Sequence, residues 1–207
     1  FPVIHIPKTI DNDYYGIPWT FGYWTAIDTA QKSILNLKAD AQSTDSFFIV
    51  ELMGRKAGWI TYAAGIAAEA IMMIAAEDIE EDVLDLEVLV DKITNVILAR
   101  ENNRRPYGVI AVSEGIVDKL PDEYKPKHTD KHGNVLYREA KIGEILAERV
   151  KKRYQEKTGM EVKIIAKQIG YETRSAPPIS FDVVLGAMLG YGAYKFYNET
   201  MFGIMVS

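Results

Sequence analysis

Phe47-Phe48-Ile49-Val50-Glu51-Leu52-Met53-Gly54-Arg55-Lys56-Ala57-Gly58 is the stretch that decides the fold. Its first half is a nearly continuous apolar run of strand length, the pattern of a strand buried on both faces. Gly54 breaks that run, and an alanine-rich stretch to about Ala70 reads as a helix. Strand, glycine-bearing turn and helix open a parallel βαβ unit. The alternation continues downstream, with strands expected at residues 71–75, 107–112 and 162–169 and helices at 86–101, from Ile142 to just before Gly159, and at 181–197. Upstream, Phe21, Trp24, Ile27, Ile34 and Leu37 recur at helical spacing over residues 20–37, and the polar residues 39–46 read as a loop. Residues 117–140 interrupt the pattern as a long excursion, with a β-turn expected at His132-Gly133-Asn134. The expected class is α/β: a doubly wound, mostly parallel sheet with helices on both faces.

At 207 residues the chain has room for one large domain or two small ones. Hydrophobic residues at 48% and charged ones at 26% are an ordinary globular balance. The net charge of −5 argues against a nucleic-acid binder, which would present a basic surface. No apolar run is long enough to cross a bilayer and no signal-peptide pattern is present, so no membrane partner is expected. Without cysteine there is no disulfide framework and no thiolate metal site, and the cytoplasm is the expected compartment.

A second stretch carries the chemistry. Residues 3–6 read as a short strand, and Pro7-Lys8-Thr9-Ile10-Asp11-Asn12-Asp13 follows it at the strand's carboxyl end, where open α/β sheets bind ligands. Asp11 and Asp13 lie two apart, so an extended backbone sends both carboxylates to one side. Such a pair repels unless a cation sits between them. Lys8 or a hard ion such as Mg²⁺ could supply it, or the residues form an Asp/Asn turn that caps the next helix. His5 reads as a core histidine, and the series Tyr191, Tyr194, Tyr197 as core or subunit interface. His128 and His132, four apart in the excursion, make a weak metal pair.

Pro7 to Asp13 resembles the catalytic loop of the phosphofructokinases. The likeness recurs in order at Met53-Gly54-Arg55, Ser113-Glu114-Gly115 and Gly170-Tyr171-Glu172-Thr173-Arg174. The resemblance implies transfer of a phosphoryl group to the 1-hydroxyl of fructose 6-phosphate, with Mg²⁺, in the sugar-phosphate half of the active site. It makes Asp11 the base and gives Thr9 a contact with the sugar or the moving group. Asp13 would hold Mg²⁺ or the base, unless it caps a helix. Met53, Gly54 and Arg55 contact fructose 6-phosphate in the family, with Arg55 a forked donor. Glu114 accepts from sugar hydroxyls, although by itself it reads equally as a helix-capping acid. Tyr171 and Arg174 take the sugar 6-phosphate from a loop closed by Pro177-Pro178. Lys163 aligns with an arginine that reaches a neighbouring subunit's sugar phosphate, in a homodimer or homotetramer. Ser46 falls where such enzymes carry another cross-subunit arginine.

Lys8 bears on the donor. Pyrophosphate-dependent members carry lysine there and ATP-dependent bacterial ones commonly glycine, although some ATP users share the lysine. Tyr171, where short ATP-dependent enzymes have histidine, and the long excursion resemble the pyrophosphate branch. Pyrophosphate is therefore the expected donor and ATP the alternative, while a regulatory subunit binding sugar phosphate is the rival of another class. The chain opens at Phe1 in strand-like sequence and stops at Ser207 in another such run. Residues 1–207 are thus expected to be one piece of a longer enzyme, lacking an N-terminal part with the donor loops and inactive alone. The chain is expected to cross between lobes near residues 170–180.

Overall fold

A computed structural model describes residues 2–126, 128 and 136–207. The chain divides into two compact units, Phe1–Thr29 with Tyr171–Ser207, and Ala30–Gly170.

The larger unit is built on the apolar runs. Strands β2 (Phe47–Leu52), β3 (Met72–Ile74), β4 (Gly108–Ser113) and β5 (Ile164–Ile169) form a parallel sheet in the order β3-β4-β2-β5. Every residue of β2 and of β4 is buried, as expected of strands covered on both sides. Residues alternate between faces along each strand. Phe47, Ile49, Ile110 and Val112 share one core with Leu89, Ile93 and Ile97 of helix α3 (Leu86–Asn102) and with Leu146 and Val150 of helix α4 (Ile142–Thr158). Arg149 and Arg153 of α4 pair with Glu87 of α3, and Arg153 also with Asp91, joining the two helices on that face.

Helix α2 (Trp59–Ala67) covers the opposite face. A Cβ on its Gly65 would lie 2.6 Å from Met73 Cγ and 3.6 Å from Ala111 Cβ. The later part of helix α1 (Tyr23–Thr44) lies beside α2, tied by Gln31 Nε2 to Ala67 O at 3.3 Å and by the ion pair Lys38–Glu69. The sheet is therefore doubly wound. The connection after β2 passes over one face and the one after β4 over the other, so these adjacent strands form a topological switch point whose crevice opens at their carboxyl ends.

Helix α1 overturns the loop expected at residues 39–46. Ala41 is buried, the hydroxyls of Ser43 and Thr44 donate to Asp40 O at 2.9 Å, and Ser46 N donates to Ala41 O at 3.1 Å across the left-handed Asp45. That last bond is the six-to-one closure of a Schellman end. The Ser43 and Thr44 hydroxyls thus fold back onto one carbonyl of the last turn and leave the helix intact to Thr44.

In the smaller unit, β1 (Ile4–His5) and β6 (Ile204–Met205) pair in parallel, Ile4 opposite Ile204. The strand-like runs near both ends therefore pair with each other. Helix α5 (Tyr171–Ser175) and helix α6 (Ser180–Asn198) complete this unit. A Cβ on Gly192 of α6 would lie 2.8 Å from Val206 Cγ1. Tyr191, Tyr194 and Tyr197 are exposed rather than core, and so is His5. The turn expected at His132-Gly133-Asn134 lies outside the described residues. Among the described residues no helix is long and apolar enough to cross a membrane.

The register of α3 is open to a direct check. Ile93 is fully buried and Val88 half exposed on the same helix. Ile93→Ala should cost about 2–5 kcal/mol in urea unfolding, and Val88→Ala less than about 0.5 kcal/mol. Equal losses would place α3 in another register.

Candidate functional site

The switch point of the larger unit brings two of the sequence motifs together. Met53-Gly54-Arg55 leaves the end of β2, and Ser113-Glu114-Gly115 the end of β4, with Leu52 opposite Ser113 in the ladder. Glu114 is 7% exposed, and its Oε1 accepts from Gly54 N at 3.1 Å and Arg55 N at 2.9 Å. The carboxylate thus caps the neighbouring turn; its own short 3₁₀ helix is capped by Ser113, whose hydroxyl accepts from Gly115 N at 3.3 Å. The glycines serve this contact. A Cβ on Gly115 would lie only 2.4 Å from Arg55 O, so the two turns pack backbone against backbone there, and one on Gly54 would lie 2.7 Å from Ala57 O within its own turn. Arg55 is held in the left-handed region at φ 50.

Further polar groups lie near these turns. Tyr137 donates to Asp118 Oδ2 at 2.9 Å, and Lys56 lies 3.8 Å from the same oxygen. Burial pushes the Tyr137 phenol well above its ordinary value, and the Asp118 hydrogen bond adds to the rise. Glu51, on β2, is 3% exposed; it accepts from Gly143 N at the start of α4 at 3.2 Å and from Gln168 Nε2 at 3.0 Å. Gln168 also donates to Arg138 O at 3.0 Å, tying the 137–140 turn to the sheet. Sequence reasoning missed Glu51, although one charge in an otherwise apolar strand is a visible signal.

Lys163 stands elsewhere. It precedes β5 at the amino end of the sheet, where its carbonyl accepts from Phe47 N at 2.9 Å. The Arg55 turn is a strand length away, about 20 Å at 3.3 Å per residue. Ser46, also at the amino end, is buried and bonded to the Thr44 hydroxyl at 2.8 Å.

The smaller unit carries the other two motifs. Lys8 forms an isolated bridge with Phe21 and is exposed. Thr9 Oγ1 accepts from Asp11 N at 3.0 Å, and Asp11 is 5% exposed whereas Asp13 is exposed. Between them Asn12 takes a left-handed conformation, φ 53, and its Oδ1 accepts from Thr20 N at 2.9 Å and the Thr20 hydroxyl at 3.2 Å. The expected loop around Tyr171 and Arg174 is instead α5, so their spacing of three places both on one helical face. Thr173 is buried and anchors that turn; Tyr171 and Arg174 are exposed.

Among the described residues no group of three or more His, Cys, Asp or Glu is placed to hold a metal ion. The oxygen donors of Asp11 and Asp13 still suit Mg²⁺, which is held by one or two carboxylates together with substrate phosphates. His128 lies 3.8 Å from Glu139, and its suggested partner His132 is outside the described residues.

Residues 1–197 match the phosphofructokinase family, and the chain belongs to that family. It is 38% identical over 203 residues to the pyrophosphate–fructose 6-phosphate 1-phosphotransferase of Thermotoga maritima, covering 94% of this chain and 48% of the relative. It is 32% identical to the ATP-dependent 6-phosphofructokinase of Corynebacterium efficiens, covering 100% and 55%. The chain thus spans about half the length of these curated relatives. The crystal structure of a pyrophosphate-dependent phosphofructokinase from Nitrosospira multiformis superposes with a TM-score of 0.69 at 24% identity, over 95% of this chain and 44% of that one. That likeness establishes the fold.

Glu51 supplies a pH signature. Burial raises its carboxyl above the usual 4.5, outweighing the bonds from Gly143 and Gln168, and the charges of Glu114 and Glu144 add to the rise. An acid whose pKa is raised on folding holds its proton more tightly in the native state. Its stabilising effect is complete below the unfolded value and is lost as pH rises through the folded one. Unfolding free energy should therefore fall more steeply above pH 4.5 in the parent than in Glu51→Gln. Parallel curves would mean that Glu51 titrates alike in both states.

Proposed function

We propose that the protein is a 6-phosphofructokinase that moves a phosphoryl group from pyrophosphate to the 1-hydroxyl of fructose 6-phosphate, giving fructose 1,6-bisphosphate. The observation that carries this reading is the family match over residues 1–197, with the acidic loop and the three later motifs intact and in order. Retention of Asp11 and Asp13 weighs against a purely regulatory subunit.

Phosphoryl transfer asks mainly for alignment and charge neutralisation. As the sugar oxygen bonds to phosphorus, its proton passes to the Asp11 carboxylate, and the bond from phosphorus to the bridging oxygen breaks with its electron pair leaving on phosphate. Lys8 sets a compact positive charge beside that leaving group. Tyr171 and Arg174 grip the 6-phosphate with a phenol and a guanidinium. Thr9, Met53, Gly54 and Arg55 line the sugar, with Glu114 both bracing the Arg55 turn and accepting from sugar hydroxyls. Mg²⁺, held by Asp13 together with the substrate phosphates, would neutralise charge on the donor's phosphate oxygens. Lys163 serves a neighbouring subunit's sugar phosphate in a cytoplasmic homodimer or homotetramer, and the donor loops come from an N-terminal part of the same enzyme.

Lys8 and Tyr171 favour pyrophosphate, in line with the name of the Thermotoga relative. The name of the Corynebacterium relative favours ATP as the second reading. Turnover of the full-length enzyme with each donor at equal concentration decides between them.

Two substitutions in that enzyme test the site. Asp11→Asn should lower turnover by about two to four orders of magnitude while fructose 6-phosphate still binds; activity within a few-fold of the parent would remove Asp11 from the chemistry. Arg174→Ala should weaken fructose 6-phosphate binding by about 1.5–3 kcal/mol and change pyrophosphate binding far less. Equal losses would put Arg174 on the donor side.

A further inference from the structure

Asp182 lies in the first turn of α6 and is 5% exposed. One carboxylate oxygen accepts from Gly22 N at 2.7 Å, and the other from Thr25 N at 2.7 Å and the Thr25 hydroxyl at 2.5 Å. Gly22 and Thr25 supply the N–H groups at the cap and third positions of α1, the pair that a capping box satisfies from within its own helix. Here the carboxylate comes from 160 residues downstream. The Thr25 hydroxyl also accepts from Ile179 N, just before α6, at 3.1 Å. A hydroxyl can donate once and accept as well, so Thr25 closes a ring between the start of α1 and the start of α6.

Both motifs of this unit hang on that ring. Upstream, Thr20 holds Asn12 by its N–H and its hydroxyl, and Asn12 separates Asp11 from Asp13. Downstream, Ile179 ends the short Pro177-Pro178 segment that follows α5 with Tyr171 and Arg174. We infer that Thr25 and Asp182 are positioning residues, which fix the residue 7–13 loop and the α5 anchor to one frame and so keep the proposed base and the proposed phosphate grip at a constant spacing. The inference rests on the reading of Asp11 and Arg174 given above. Neither Thr25 nor Asp182 touches substrate in it.

The test uses the full-length enzyme carrying Thr25→Val, which keeps the shape and loses both hydroxyl bonds, and Thr25→Ser, which keeps them. Misplacement of reacting groups by about 1 Å costs about a hundredfold in rate. Thr25→Val should therefore lower kcat about tenfold to a hundredfold, with KM for pyrophosphate unchanged, while Thr25→Ser stays within about threefold of the parent. Equal kcat in the Val and Ser variants would overturn the inference. Amide hydrogen exchange without substrate separates this result from any failure of the catalytic reading. Exchange at residues 8–13 and 171–175 should quicken together in Thr25→Val and not in Thr25→Ser. If Thr25→Val does not fold, Asp182→Asn takes its place in both measurements, with the same expectation. Quickening confined to one segment, or absent, would show that the two are not held in one frame.

Discussion

A carboxylate buried against backbone N–H groups is the interaction on which the described structure depends. Burying an ionised carboxylate is costly unless hydrogen bonds replace its water, and N–H groups at turns and helix starts are donors that otherwise lack partners. Each need answers the other. Glu114 binds the turn after β2, Glu51 the start of α4 and Asp182 the start of α1. In each case the acid and its donors lie far apart in sequence, so the bond fixes tertiary placement and not merely local shape.

Glu114 is the most consequential of the three. Its two donors come from adjacent residues of one turn, and the helices that follow β2 and β4 lie on opposite faces of the sheet. The clasp therefore sits where the sheet's winding reverses, and it sets the mouth of the crevice. Gly115 is needed there because the two turns approach at backbone distance, and Gly54 because a Cβ would meet Ala57 O within its own turn. Sequence reasoning attributed the glycine of the Met53-Gly54-Arg55 motif to a bound ligand; the structure gives both glycines a reason within the chain itself.

Much of the fold was legible because its signals are local. The runs at Phe47–Leu52 and Gly108–Ser113 carry the mark of double burial, and Gly159 ends α4 in the left-handed conformation that glycine suits. The last turns of α1 were not legible, since Asp40, Ser43 and Thr44 look like loop residues until the Ser43 and Thr44 hydroxyls are seen on the Asp40 carbonyl. Helix α5 was missed because five residues are too few for a periodic pattern. The family motifs marked the site residues by type, but nothing near Asp182 in sequence points to Gly22 and Thr25, and no motif contained Glu51. Residues that touch a ligand tend to form short signatures. Residues that hold those signatures in place are scattered, and only the folded chain assembles them.

The left-handed backbone of Arg55 carries a consequence of its own. A residue with a Cβ is strained in that region by about 1 kcal/mol, and glycine is not. Arg55→Gly would relieve the strain and remove the guanidinium at one stroke. The same position thus sets heat resistance against the ligand grip proposed for Arg55. Laboratory evolution of the full-length enzyme for thermal tolerance alone would be drawn toward that exchange, and on the proposed role only concurrent selection for turnover would keep the arginine.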